Sequence, residues 1–157
     1  MSSQPLQVVV QVADDVSDVP GETDWPGWVN AALEVGSSAV SGVVTVRLVG
    51  REESAALNQT WRDKAGPTNV LAFPALTEDL PPEEAEIGDL VLCLPVAVDE
   101  ARAQSKSLVS HLAHLVMHGT LHLIGFDHQC DSEADEMESL EVGLMQKFGF
   151  ADPYATH

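Results

Sequence analysis

Valine dominates the run "LQVVVQVA" (6–13), and a short β-branched stretch of this kind predicts a strand. The polar segment "DDVSDVPGETD" follows, with Pro20 and Gly21 marking a turn. "WPGWVNAALEVGSSA" has helical character, and Asp24 stands where a cap belongs, just before Trp25 and Pro26. "GVVTVRLVG" (42–50) alternates as a second strand. "EESAALNQTWR" (52–62) is built of good helix formers, with Ala56, Leu57 and Trp61 able to share an inner face. "GPTNVLAFP" (66–74) turns into a third short strand that stops at Pro74, and the acidic, proline-bearing "ALTEDLPPEEAE" reads as an exposed loop.

"IGDLVLCL" is a fourth strand, and "VAVDEARAQSK" beyond Pro95 is helical. The longest periodic segment is 107–125, with Leu108, Leu112, Leu115, Val116 and Leu123 as its apolar stripe and Gly125 as its stop. Ser132 to Asp135 has the form of a capping box opening a last helix. Met137, Leu140, Leu144 and Phe148 form that helix's inner face, and Gly149 ends it. Strands gather in the first half and helices in the second. The expected fold is α+β: one domain over 1–157, a small mixed sheet packed with helices, and a long central helix.

Composition narrows this picture in two ways. No stretch approaches the ~18 apolar residues of a membrane span, and the N-terminus lacks the features of a signal peptide, so a cytoplasmic protein is expected. Seven basic against 25 acidic residues give a net charge of −18, a field that opposes non-specific contact with nucleic acid or anionic membrane. Yet six of the seven basic residues lie between 47 and 106, which suits either a local cationic patch or scattered solvated charges. Cys93 sits in an apolar run and reads as a buried thiol, while Cys130 lies two residues past His128; neither belongs to a C-x-x-C pair.

The chemistry concentrates in "HGTLHLIGFDH" (118–128). His118 and His122 are four apart on a predicted helix and project from one face, one turn apart. Gly125 breaks the helix, which would bring His128 back as a third ligand. Three imidazoles leave the fourth position of a tetrahedral zinc open to water or substrate, as in a catalytic rather than a structural site. Asp127 adjoins His128 and could orient a ligand ring. His111 and His114, earlier on the same helix, read as supporting or packing residues. The spacing matches the metzincin protease pattern H-E-x-x-H-x-x-G-x-x-H, but Gly119 replaces the glutamate that would act as general base. A glycine neither takes nor gives a proton, so the peptidase reading loses its central group.

"HGTLHLIGFDH" also resembles the H-G-x-L-H-L-x-G-[YF]-D-H signature of the YbeY family of bacterial endoribonucleases. "LNQTWRDKAGPTNVLAFP" (57–74) and "IGDLVLCLPVAVDEA" resemble two further segments of that family, in the same order, so the likeness runs over roughly 40–154. Asp63 and Ala65 stand where the family usually has glycine and an acidic residue, and Ala72 where serine is common. The resemblance implies one zinc held by His118, His122 and His128, whose bound water attacks a phosphodiester of single-stranded RNA. It implies work on ribosomal RNA, notably the 16S 3′ end, and in ribosome quality control. The partners it implies are ribosomal RNA, the small ribosomal subunit and ribosome-associated proteins, not DNA or membrane.

Within that reading Arg62 is the candidate for stabilising the reacting phosphate through its planar fork; its other role would be a surface salt bridge. Trp61 and Phe73 could stack on bases but read as core, and Thr68 and Asn69 either contact substrate or tie the turn at Pro67. Two other classes stay open: a ribosome-associated binding factor with a mainly structural zinc, and a different metal-dependent hydrolase.

Overall fold

The structure, a computed structural model, describes residues 6–36, 42–75, 86–126 and 131–154. The described elements run β1 (Leu6–Val12), α1 (Trp25–Leu33), β2 (Gly42–Val49), α2 (Arg51–Arg62), β3 (Val70–Pro74), β4 (Glu86–Cys93), α3 (Leu94–Ala103), α4 (Leu108–Leu123) and α5 (Asp131–Lys147). The strand order is β1-β2-β4-β3. β1, β2 and β4 run parallel, and β3 is the antiparallel edge. This is the α+β fold with a small mixed sheet that the hydrophobic pattern predicts. No helix among the described residues is long and apolar enough to cross a membrane.

Alternation along the strands divides the core. Val44, Val46 and Leu48 of β2 and Leu90 and Leu92 of β4 pack against α1, α4 and α5 in the main core. Val49, Leu71, Val91 and Cys93 point to the opposite face, where Leu57 of α2 covers them. Cys93 is therefore a buried free thiol, as expected. α4 lies at the centre, touching α1, α3, α5, β3 and β4.

Local chemistry sets the element ends. Asp24 caps α1 by accepting from the Gly27 amide at 3.1 Å, a cap of the kind typically worth ~1 kcal/mol. Ser107 caps α4 in the same way, accepting from the Ser110 amide at 3.1 Å. Beyond α4, Gly125 takes φ 101°, a left-handed conformation that favours glycine. α3 starts at Leu94, earlier than expected, because Pro95 fits its first turn. α5 starts one residue before Ser132.

α2 departs from the sequence expectation. Its buried residues are Ser54 and Asn58, while Ala56 and Trp61 are exposed. The inner face is polar because it holds a loop: the Ser54 hydroxyl donates to the Thr68 carbonyl at 3.0 Å. The Thr68 amide donates back to that hydroxyl at 3.0 Å, and the Asn58 amide donates to the Gly66 carbonyl at 2.9 Å. An apolar-face rule misses helix positions whose role is to satisfy buried backbone groups. The acidic loop expected over 75–86 lies mostly outside the described residues, as do Asp127, His128 and Cys130.

Candidate metal centre and cleft

From His111 to Leu123 every residue of α4 is buried except His114, His118 and His122. These three sit four apart, so they form one stripe along the helix. The rest of the helix is locked in the core, which fixes the direction of the stripe. Gly119 lets α4 approach the sheet this closely: a Cβ there would lie 2.9 Å from Leu90 Cδ2 and 3.2 Å from Val70 Cγ2. The position where the protease pattern needs a glutamate is thus a packing contact against β3 and β4.

His118 Nε2 and His122 Nε2 are 3.2 Å apart. Two imidazole nitrogens bound to one tetrahedral zinc at about 2.0–2.1 Å lie about 3.3–3.4 Å from each other. The pair therefore has the spacing of two ligands, although the same distance serves an N–H···N hydrogen bond in one tautomer. His128, the third expected ligand, lies outside the described residues.

Beneath the stripe is a residue the sequence reading did not single out. Glu141 of α5 is 1 % exposed. Its Oε2 accepts from His118 Nδ1 at 3.2 Å, and its Oε1 bonds His114 Nε2. The Tyr154 hydroxyl also donates to Oε1, at 2.8 Å. Burial is the largest influence on this carboxyl and pushes its pKa up, but the bonds to His114 and His118 together outweigh it and hold it at about 2. Burial first, then Glu141, raise the Tyr154 phenol well above its usual range. The one sequence signal for Glu141 was an acidic residue on the apolar face of α5, between Met137 and Met145.

His114, His118 and Glu141 present ligand atoms within 4.8 Å of one another and form a group that could hold a metal ion. The His118–His122 pair shares His118 with that group, but in the pair Glu141 serves as hydrogen-bond acceptor rather than ligand. A histidine that donates from Nδ1 to a carboxylate carries its lone pair on Nε2, the atom that faces His122. His111 stands apart: its Nε2 donates to Glu100 Oε1 at 2.9 Å, and burial lowers its pKa despite that carboxylate.

His118 and His122 open onto a cleft of about 680 Å³, whose lining also includes Arg62, Trp61 and Phe73. Arg62 ends α2 on its last turn and has no ion pair among the described residues, unlike Arg47 with Glu53 and Arg51 with Asp99. The salt-bridge role is therefore not seen for it there. No carboxylate lines this cleft among the described residues, in a chain with 25 of them. Thr68 and Asn69 line it too, while tying the turn: the Asn69 amide donates to Glu100 at 3.1 Å and its Oδ1 accepts from the Val70 amide at 2.6 Å. Asp63, directly after Arg62, has φ 56°. That left-handed residue stops α2, which gives a physical reason for the glycine usual there in the resembled family.

Comparison with known proteins agrees with the fold and the motifs. A family model described as Endoribonuclease YbeY matches residues 13–149. Endoribonuclease YbeY of Nitrosococcus oceani is 44% identical over 154 residues, covering 95% of this chain and 97% of that protein. Endoribonuclease YbeY of Colwellia psychrerythraea is 47% identical over 147 residues, covering 92% and 94%. The solution structure of TM1509 from Thermotoga maritima shares the fold, with a TM-score of 0.54 at 22% identity, covering 94% of this chain and 100% of that one. The chain belongs to the YbeY endoribonuclease family.

Proposed function

We propose that this chain is a zinc-dependent endoribonuclease that cleaves single-stranded RNA during ribosomal RNA maturation, at the 16S 3′ end, and in ribosome quality control. The observation that carries the reading is a cleft with Arg62, His118 and His122 among its lining residues and no carboxylate among the described ones. An anionic backbone meets no repulsion from those described residues, and Arg62 has no carboxylate partner among them to leave. The names of the relatives support the same reaction class.

His118, His122 and His128 would hold the metal. Zinc bound there supplies Lewis acidity and lowers the pKa of water toward ~7. Arg62 grips the non-bridging phosphate oxygens through its planar fork and stabilises charge as it develops. Glu141 holds His118 in one tautomer and one orientation through Nδ1. Ribosomal RNA in the small subunit is the substrate, delivered with ribosome-associated proteins.

The test separates an enzyme from a binding factor with a structural zinc. His122→Ala should lower zinc content sharply, whereas His111→Ala should not. Arg62→Ala should keep zinc and fold yet lose cleavage by on the order of 10²–10³ in single-turnover rate. Arg62→Lys should recover only part, because lysine lacks the two-pronged contact. A folded, zinc-replete Arg62→Ala protein cleaving at the wild-type rate would remove Arg62 from the mechanism. No cleavage of precursor or mature ribosomal RNA by the zinc-loaded wild type would leave the binding factor.

A further inference from the structure

The chain has three tryptophans, and they fall in two environments. Trp25 and Trp28 are in the core at 7% and 2% exposure, edge to face with each other. Trp61 is 67% exposed. A tryptophan left in water forgoes the burial free energy the other two gain. Its position on α2 is not forced by an apolar inner face, since Ser54 and Asn58 take the buried positions.

The indole is nonetheless supported. The Phe73 ring, on edge strand β3, meets it at 6.0 Å between centroids and 68° between planes. An aromatic side chain has only two torsions to fix, so holding it against a second ring costs little further entropy. Trp61 and Phe73 both line the cleft of about 680 Å³ that carries Arg62, His118 and His122. Arg62 follows Trp61 directly in the chain. Both side chains line this cleft, so its wall offers an apolar ring and a guanidinium, with no carboxylate among the described lining residues. That is the complement of one nucleotide: a flat base and an anionic phosphate.

We propose that the Trp61 indole, backed by Phe73, is the platform on which one unpaired nucleobase stacks while its phosphate meets Arg62. This deepens the nuclease reading and rests on it. A base inside a duplex has both faces covered by its neighbours, so the platform selects single-stranded RNA physically. Stacking also adds attraction that electrostatics cannot supply on a chain of charge −18.

The buried positions of Trp25 and Trp28 make Trp61 the natural reporter. A short single-stranded oligoadenylate with phosphorothioate linkages and 2′-O-methyl riboses, which slow attack by water and block attack by the 2′-hydroxyl, is titrated into zinc-loaded full-length protein. It should quench tryptophan emission and shield it from acrylamide. The same strand in duplex form, or with abasic sites, should do neither. By anisotropy of the labelled strand, Trp61→Ala should weaken binding about five- to hundred-fold, the range for losing one stacking aromatic. Trp61→Phe should retain an intermediate affinity. In Trp61→Ala, intact and abasic strands should bind alike.

Equal binding of intact and abasic strands by the wild type would overturn the proposal, as would unchanged affinity in Trp61→Ala. If ribosomal RNA is still cleaved in either case, the nuclease reading survives and only the platform falls. Protection of Trp61 by a ribosomal protein but by no RNA strand would also overturn it, in favour of a protein contact.

Discussion

Glu141 accepts hydrogen bonds from side chains on two other parts of the chain, α4 and the segment after α5, while almost fully buried. A buried carboxylate with that many partners orients them as much as they stabilise it. Losing such a partner of a ligating histidine typically costs 10- to 100-fold in metal affinity. Glu141→Gln should therefore weaken zinc binding by about 10- to 100-fold in chelator competition. The amide keeps the shape but offers one acceptor oxygen where the carboxylate has two. Unchanged affinity alongside a lowered melting temperature would reduce Glu141 to a packing role. At this scale the sequence exposed the histidines by their spacing. It hid Glu141, which lies 19 residues beyond His122 and meets the stripe only because α5 folds back on α4.

The contact of α4 with the sheet is decided at one glycine. A Cβ at position 119 would press 2.9 Å from Leu90 Cδ2, a side chain that is itself fully buried. Overpacking of this kind costs about 1–3 kcal/mol, and replacing a mid-helix glycine by alanine gives back roughly 1 kcal/mol. Gly119→Ala should thus lower stability to urea by about 0–2 kcal/mol. Gly119→Glu should lose more, since its carboxylate would enter between Leu90 and Val70. Wild-type stability in Gly119→Glu would mean that α4 does not pack as described. The periodicity of α4 was legible because its stripe is long and apolar. α2 was misphased at Trp61 because its inner residues serve hydrogen bonds to the 66–68 loop, a role no apolar pattern records.

Across the whole molecule, charge and site pull in opposite directions. The net −18 repels RNA at long range. Several of the basic residues are already engaged: Arg47 with Glu53, Arg51 with Asp99, and Lys106 with the Pro153 carbonyl. Arg62 and the neighbouring Lys64 have no ion pair among the described residues. At roughly 0.7 per phosphate contact on single strands, two cations give a slope of log affinity on log salt no steeper than about −1.4. Fluorescence or anisotropy titrations of a single-stranded RNA at several salt concentrations measure it. A slope beyond about −3 would reveal a much broader cationic surface than these two residues. The same field should make protein-free RNA a poor substrate beside ribosome-bound RNA, and comparable rates on the two would count against a docking partner.

The sequence by itself determined the α+β class, the order and approximate limits of the elements, and the two helical histidines. Those follow from local periodicity, caps and the fixed 3.6-residue turn. Only the tertiary structure brought Glu141 and Tyr154 to the histidines, set Arg62 on the same cleft as His118 and His122, and left Trp61 in solvent. Each of those depends on which elements meet in three dimensions, through the packing of α4 on the sheet and of α2 over its far face.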